Sequence, residues 1–198
     1  YFLEPFSSEP NYLKVLKEYD FTAPVRTYDR IAGIPNEPRK YRGENAIHRG
    51  VDFVYWYGKD VLSVEKGTVS FVGSLRENYK EDFETFVKES GVLGKTPFYH
   101  MYAYFGNFIV VRHEIKAENF VVYSVYCHLS DVSVVVGDEV EKGDTIGKIG
   151  NSGTPQSVRQ ERFGAGTHLH FELRIYDKKN NLDYYLGQYM GDDEIHSI

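Results

Sequence analysis

Three groups of residues in this sequence have the types and spacing to do chemistry. The first is His48-Arg49-Gly50-Val51-Asp52. Imidazole nitrogen and carboxylate oxygen both bind zinc, at about 2.0–2.2 Å. On a straight strand, residues four apart are separated by about 13 Å, too far to share one ion. The chain must bend between them, and Gly50 can supply the bend. The second group is Gly166-Thr167-His168-Leu169-His170-Phe171-Glu172. Strand side chains alternate, so His168 and His170 project from one face with roots about 7 Å apart, while Leu169 and Phe171 enter the core. Either imidazole could hold a metal with the other standing beside it. Glu172, one step further on that face, is a candidate to orient a histidine from behind. The third group is Tyr126-Cys127-His128-Leu129-Ser130, where His128 closes an apolar run just before a polar turn. Cys127 cannot pair with His128 as a nucleophile, because adjacent strand residues face opposite ways. It reads as a small buried hydrophobe. Singly, each group has a plain structural explanation, such as a salt bridge or exposed rings. Together, in the order His48…Asp52, His128, His168…His170, they describe one site.

Composition narrows the chemistry further. The chain has 198 residues, 41% hydrophobic and 26% charged, with a formal net charge of -6. That is one globular domain's worth of sequence, with room for an apolar core and no need of disulfide staples. An acidic chain without a basic tract is no nucleic-acid binder, since such affinity comes mainly from neutralising phosphates. With 7 His and 1 Cys, any transition metal must be held by histidine and carboxylate. The apolar runs, such as Val134-Val135-Val136, fall far short of the ~20 residues a spanning helix needs. No basic stretch followed by an apolar run opens the sequence.

The elements that must position these residues read mainly as strands. Val51 to Tyr55, Thr68 to Val72, Phe108 to Arg112, Phe120 to Cys127, Thr145 to Ile149 and His168 to Tyr176 are rich in β-branched and aromatic residues, and glycines punctuate the chain between many of them. Helical spacing appears at Asn11 to Tyr19 and at Tyr79 to Glu89, where Phe83, Phe86 and Val87 share a face. The expected organisation is an N-terminal wrapping or regulatory segment over residues 1–45, a core over 46–178 interrupted by an insert at about 74–107, and a C-terminal tail over 179–198. Long excursions of this kind serve as lids or binding loops, or as packed surface decoration.

At these motifs the chain resembles the lysostaphin/LytM-type zinc endopeptidases, bacterial enzymes that cleave peptide cross-links of peptidoglycan. His48 to Phe53 resembles the family's first ligand motif, and Tyr126-Cys127-His128-Leu129 its Tyr-x-His-Leu. Val136 to Gly147, continuing to Gly150-Asn151-Ser152-Gly153, resembles its characteristic turn, and Thr167 to Glu172 its closing His-x-His motif. Gly67-Thr68-Val69 and Gly106 to His113 match strands between them. The resemblance spans roughly 46–73 and 106–176. It implies a mainly β fold, an antiparallel sandwich-like core of the duplicated hybrid motif type, with short helices in the N-terminal segment and the insert. It implies one zinc ion per chain, held by His48, Asp52 and His170, with an open position for water. By the same resemblance His128 and His168 are catalytic neighbours of that position. Peptidoglycan stems or bridges are the implied partners, the chain acts as a monomer, and the implied location is the periplasm, cell envelope or exterior. Tyr126, Arg159 and Arg162 are the expected substrate-groove residues, and Glu172 supports a ligand. His100, His113 and His196 are bystanders.

Three other readings compete. Val136 to Gly150 also resembles the turn of biotinyl and lipoyl carriers, but Lys142 and Lys148 lie in no modification motif and a carrier has no use for the histidines. A histidine phosphocarrier leaves Asp52 unexplained. A non-catalytic zinc-binding regulator of wall hydrolases would share the ligands but not the catalysis; degenerate relatives that act as regulators lack metal ligands, and here every ligand position is filled.

Overall fold

The structure, a computed structural model, describes residues 11–75, 79–93 and 100–190. Among them are eleven strands: β1 (Arg30–Gly33), β2 (Val51–Val54), β3 (Asp60–Leu62), β4 (Gly67–Gly73), β5 (Phe108–His113), β6 (Phe120–Cys127), β7 (Leu129–Val132), β8 (Glu139–Val140), β9 (Thr145–Ile149), β10 (Leu169–Asp177) and β11 (Leu182–Tyr185). The helices are α1 (Asn11–Leu16), α2 (Tyr79–Leu93), α3 (Met101–Phe105) and α4 (Pro155–Val158), with a 3-10 turn at Lys40–Arg42. The mainly β, antiparallel fold expected from the sequence is the fold observed.

The large sheet runs β1-β2-β10-β6-β5-β4-β8, and β11 pairs with the far half of β10. The small sheet runs β3-β9-β7. The core fills the space between them. Ile109, Val111, Tyr126, Leu169, Phe171, Leu173 and Ile175 come from one face of the large sheet, and Val61, Leu129, Ile146 and Ile149 from the small one. Strand alternation sends the intervening residues to the opposite face. There Asp52, His170 and Cys127 lie side by side in register across β2, β10 and β6. The site is thus built on the back of a packed core, on three adjacent strands each paired on both sides.

This alternation corrects one expectation. Tyr126 is fully buried on the core face, one residue out of phase with the site, and lines no groove. Its ring packs on Phe171 with centroids 5.3 Å apart, and its hydroxyl accepts from the Val64 amide at 3.0 Å and lies 2.9 Å from Ser124 Oγ. Burial pushes its phenol up to about 12, so it is neutral and structural. Ser124 also meets Nε2 of the buried His113 at 2.7 Å, while the Lys66 carbonyl accepts from Nδ1 at 3.0 Å. His113 is therefore a core histidine with both nitrogens satisfied. His196 lies outside the described residues.

The flanking segments are more integrated than the sequence suggests. β1 joins the large sheet as an edge strand against β2. Tyr12 of α1 stacks on Tyr184 at 5.2 Å, between the start of the described chain and β11. β11 carries the sheet beyond residue 178, so at least its four residues are strand rather than tail. The insert folds as α2 and α3, and Phe83, Phe86 and Val87 pack with Tyr104 and with Val158 of α4, the face the spacing indicates. Lys142 and Lys148 are ion-paired with Asp20 and Asp60 at 2.9 and 2.8 Å.

Candidate metal centre

His48 precedes β2, and the bend that brings it back over Asp52 runs through Gly50. The reason for glycine there is proximity rather than an unusual backbone angle: a Cβ would run into the Phe171 carbonyl of β10. The result is a triangle. His48 Nε2 lies 2.9 Å from Asp52 Oδ1 and 2.8 Å from His170 Nδ1, and His170 Nδ1 lies 2.9 Å from Asp52 Oδ1.

The outer hydrogen bonds settle which nitrogens face inward as lone pairs. His48 Nδ1 lies 2.9 Å from the Ile34 carbonyl, which can only accept, so Nδ1 carries the proton and Nε2 is bare. His170 Nε2 lies 3.0 Å from Glu172 Oε1. Glu172 in turn accepts from Arg174 at 3.1 Å, and Arg174 pairs with Asp183. Despite burial, these contacts bring the Glu172 carboxyl down to about 2. It is an anion, and it holds the proton on His170 Nε2. Three electron-pair donors therefore converge with no hydrogen of their own between them. Such a cluster needs a cation at its centre. A proton can serve: against the cost of burial, hydrogen bonds to Asp52 and Glu172 push His170 up to about 9. Asp52, despite its burial, is held well below the usual carboxylate range by His170 and His48. A divalent metal fits better. Two imidazoles and one carboxylate are zinc's preferred donors, and opening the triangle by about half an ångström gives the edge of a tetrahedral site. A carboxylate behind a ligating histidine is the usual support.

The other two histidines stand over this triangle. His128 sits at the hinge between β6 of the large sheet and β7 of the small one, in left-handed backbone at φ 64. That conformation is uncommon outside glycine and marks a residue placed by its surroundings. Its Nδ1 donates to the Ser152 carbonyl at 2.8 Å, leaving Nε2 as the basic nitrogen. His168 Nδ1 donates to the Gly166 carbonyl at 2.7 Å, and its Nε2 approaches Asp52 Oδ1 at 3.7 Å. The two rings lie 4.6 Å apart, and His128 is 5.9 Å from His170. Burial, then the neighbouring histidines, hold His128 well below its ordinary value; burial chiefly lowers His168. Both are neutral near pH 7, with Nδ1 committed to a carbonyl and Nε2 able to take a proton.

All five residues line one cleft of about 240 Å³. Its other walls come from segments that carry no chemical motif. Arg39, Tyr41 and Arg42 belong to the N-terminal segment, Tyr104 and Phe105 to the insert, and Thr154 to Gln156 to the start of α4. Phe105 stacks near His170, with centroids 6.2 Å apart. Thr154 caps α4 by accepting from the Ser157 amide. Arg159 and Arg162, expected in the groove, are not among its lining residues. Arg159 reaches Glu84 of α2 at 3.7 Å, and both side chains are exposed.

The N-terminal segment also touches the triangle directly. Arg39 donates to Asp52 Oδ2 at 3.3 Å and to Glu37 at 3.0 Å. Gly33, at the end of β1, leaves no room for a side chain: a Cβ there would collide with Asp52 Oδ2, with Arg39 at 2.7 Å and with His48 Cε1 at 3.0 Å. Gly33→Ala should therefore displace Asp52 and weaken metal affinity by about 10- to 100-fold, the usual effect of disturbing residues behind a ligand. Chelator competition against the parent protein measures it; unchanged affinity would mean that this edge strand does not constrain the site.

The model of peptidase family M23 matches residues 46–183. The chain belongs to peptidase family M23. The expectation of a lysostaphin/LytM-type chain is met. Two curated relatives of this M23 chain are described as uncharacterized metalloproteases. The one from Buchnera aphidicola is 26% identical over 177 residues, covering 88% of this chain and 34% of that protein. The one from Haemophilus influenzae is 26% identical over 147 residues, covering 74% and 22%. The chain thus spans about a third of one of these relatives and less than a quarter of the other. A zinc-containing peptidase from Vibrio cholerae shares the fold, with a TM-score of 0.52 at 22% identity, over 83% of this chain and 39% of that one.

Proposed function

We propose that this M23 chain is a zinc-dependent endopeptidase that hydrolyses peptide cross-links of bacterial peptidoglycan. The observation that carries the reading is the convergence of three ligand atoms, His48 Nε2, Asp52 Oδ1 and His170 Nδ1, beneath two neutral histidines in one cleft. One zinc ion held there would polarise a scissile carbonyl and acidify water. The rest falls to the chain. His128, with its bare Nε2 and lowered basicity, takes the proton from the attacking water. His168, its Nδ1 proton held by Gly166, presents a second bare Nε2 beside it, which donates to the oxygen on which negative charge develops once it has taken up a proton. Glu172 and Arg174 hold His170 in its tautomer, and Arg39 and Ile34 hold Asp52 and His48. Residues 30–42 then serve as a wall of the site rather than as a cover for it.

The substrate class rests on the resemblance of the motifs to lysostaphin/LytM-type enzymes. Peptidoglycan lies outside the cytoplasmic membrane, so on this reading the protein works in the cell envelope or exterior. Among the described residues no helix is long and apolar enough to cross a membrane. Purified walls incubated with the zinc-loaded protein, followed by mass spectrometry of released fragments, test this. Cross-linked dimers should convert to monomers. Zinc bound without any cleavage would instead point to a non-catalytic regulator.

A further inference from the structure

The cleft has a charge opposite to that of the chain as a whole. Two arginines line it, and they differ in one respect. Arg39 is engaged by the carboxylates of Glu37 and Asp52. Arg42 has no carboxylate partner among the described residues. It donates to the Ile47 carbonyl at a long 3.3 Å, and its Nε is buried without any partner. A cation in such a place is costly unless something compensates it. Its Cζ lies over two rings, 5.7 Å from the centroid of Tyr41 and 5.5 Å from that of Tyr104. Cation–π contacts of this kind fix the fork in position without neutralising it. One ring comes from the 3-10 turn and the other from α3 of the insert, so two separate segments hold a single unneutralised guanidinium in the wall of the candidate active site.

We infer that Arg42 is a carboxylate-binding subsite, and that the preferred substrate is an amide whose leaving amine carries a free carboxylate on the adjacent carbon. This rests on the peptidase reading above and narrows its substrate. A planar guanidinium binds a carboxylate by donating two parallel hydrogen bonds, which fixes both distance and orientation. Within peptidoglycan, a direct cross-link to a diamino dicarboxylic acid has such a carboxylate beside the scissile amide, and neither a cross-link to a lysine-type amine nor an oligoglycine bridge does. The chain's net charge of -6, which by itself suits a cationic substrate, is therefore a poor guide to the cleft.

The test uses the zinc-loaded protein and a matched pair of cross-linked peptides, identical except that the carboxylate beside the scissile amide is free in one and a carboxamide in the other. Hydrolysis and equilibrium binding are both measured. The free acid should be favoured by about 10- to 100-fold in kcat/KM and in affinity, the scale of a charge-assisted pair. Arg42→Gln should bring that ratio close to one, mainly by weakening the acid, with an unchanged melting temperature. Arg42→Lys, which keeps the charge but loses the fork, should restore part of it. Equal cleavage of acid and amide by the unmodified protein overturns the inference and leaves the peptidase reading intact. If neither is cut, the peptidase reading fails, and binding still decides: equal affinities, or no binding of either, overturn the subsite too.

Discussion

Asp52→Ala should abolish zinc binding and hydrolysis together. Asp52 Oδ1 is the only anionic corner of the triangle, within 2.9 Å of both imidazole nitrogens. Its removal leaves two imidazoles beside the Arg39 guanidinium, which then faces the site with one carboxylate partner fewer. Bound zinc should fall from about one per chain to under about a tenth, because three protein ligands are the minimum for a site of this class. Hydrolysis should drop by at least about a thousandfold with the loss of the ion. The fold should survive. Asp52 lies on the sheet face away from the core, and leaving buried partners unsatisfied costs about 1–3 kcal/mol. Elemental analysis, a hydrolysis rate and a melting curve on one preparation check all three. Full zinc occupancy in Asp52→Ala would remove it from the ligand set.

Replacing His128 separates the metal from the catalysis. His128 touches none of the three ligand atoms through a hydrogen bond; its Nδ1 is used by Ser152. His128→Ala should keep about one zinc per chain and lose about 100- to 10,000-fold in turnover, the range spanned by a positioned general base. Because the residue sits at φ 64, alanine adds backbone strain of its own. His128→Asn is the cleaner variant: asparagine tolerates left-handed backbone and lacks the basic nitrogen. Both should lose turnover alike. Near-normal rates in His128→Asn would end its catalytic assignment.

Most of the site was legible because its chemistry is carried by rare residues on strongly patterned strands. The limits expected for Phe120 to Cys127 and Thr145 to Ile149 coincide with β6 and β9. Both are continuous or alternating runs whose burial the composition already reports. What escaped notice depends on pairing between distant segments. Nothing in Arg30-Ile31-Ala32-Gly33 marks it as an edge strand; its partner β2 supplies that. Ile34 and Arg39 act through a carbonyl and a charge, which have no motif. Tyr126 reads as a groove residue only because it neighbours His128, and the left-handed turn at His128 that separates them is a property of the folded chain. Arg159 and Arg162 sit in the loop before the His-x-His motif, yet the basic residues that reach the cleft come from the N-terminal segment.

Anomalous diffraction at the zinc edge, on crystals of the protein purified without added chelator, addresses the central claim most directly. The expected map has a single strong peak bonded to His48 Nε2, Asp52 Oδ1 and His170 Nδ1, with His128 and His168 beside the remaining position. A zinc peak bonded elsewhere, or no peak at this triangle after zinc is supplied in excess, would contradict the reading of these residues as a metal centre.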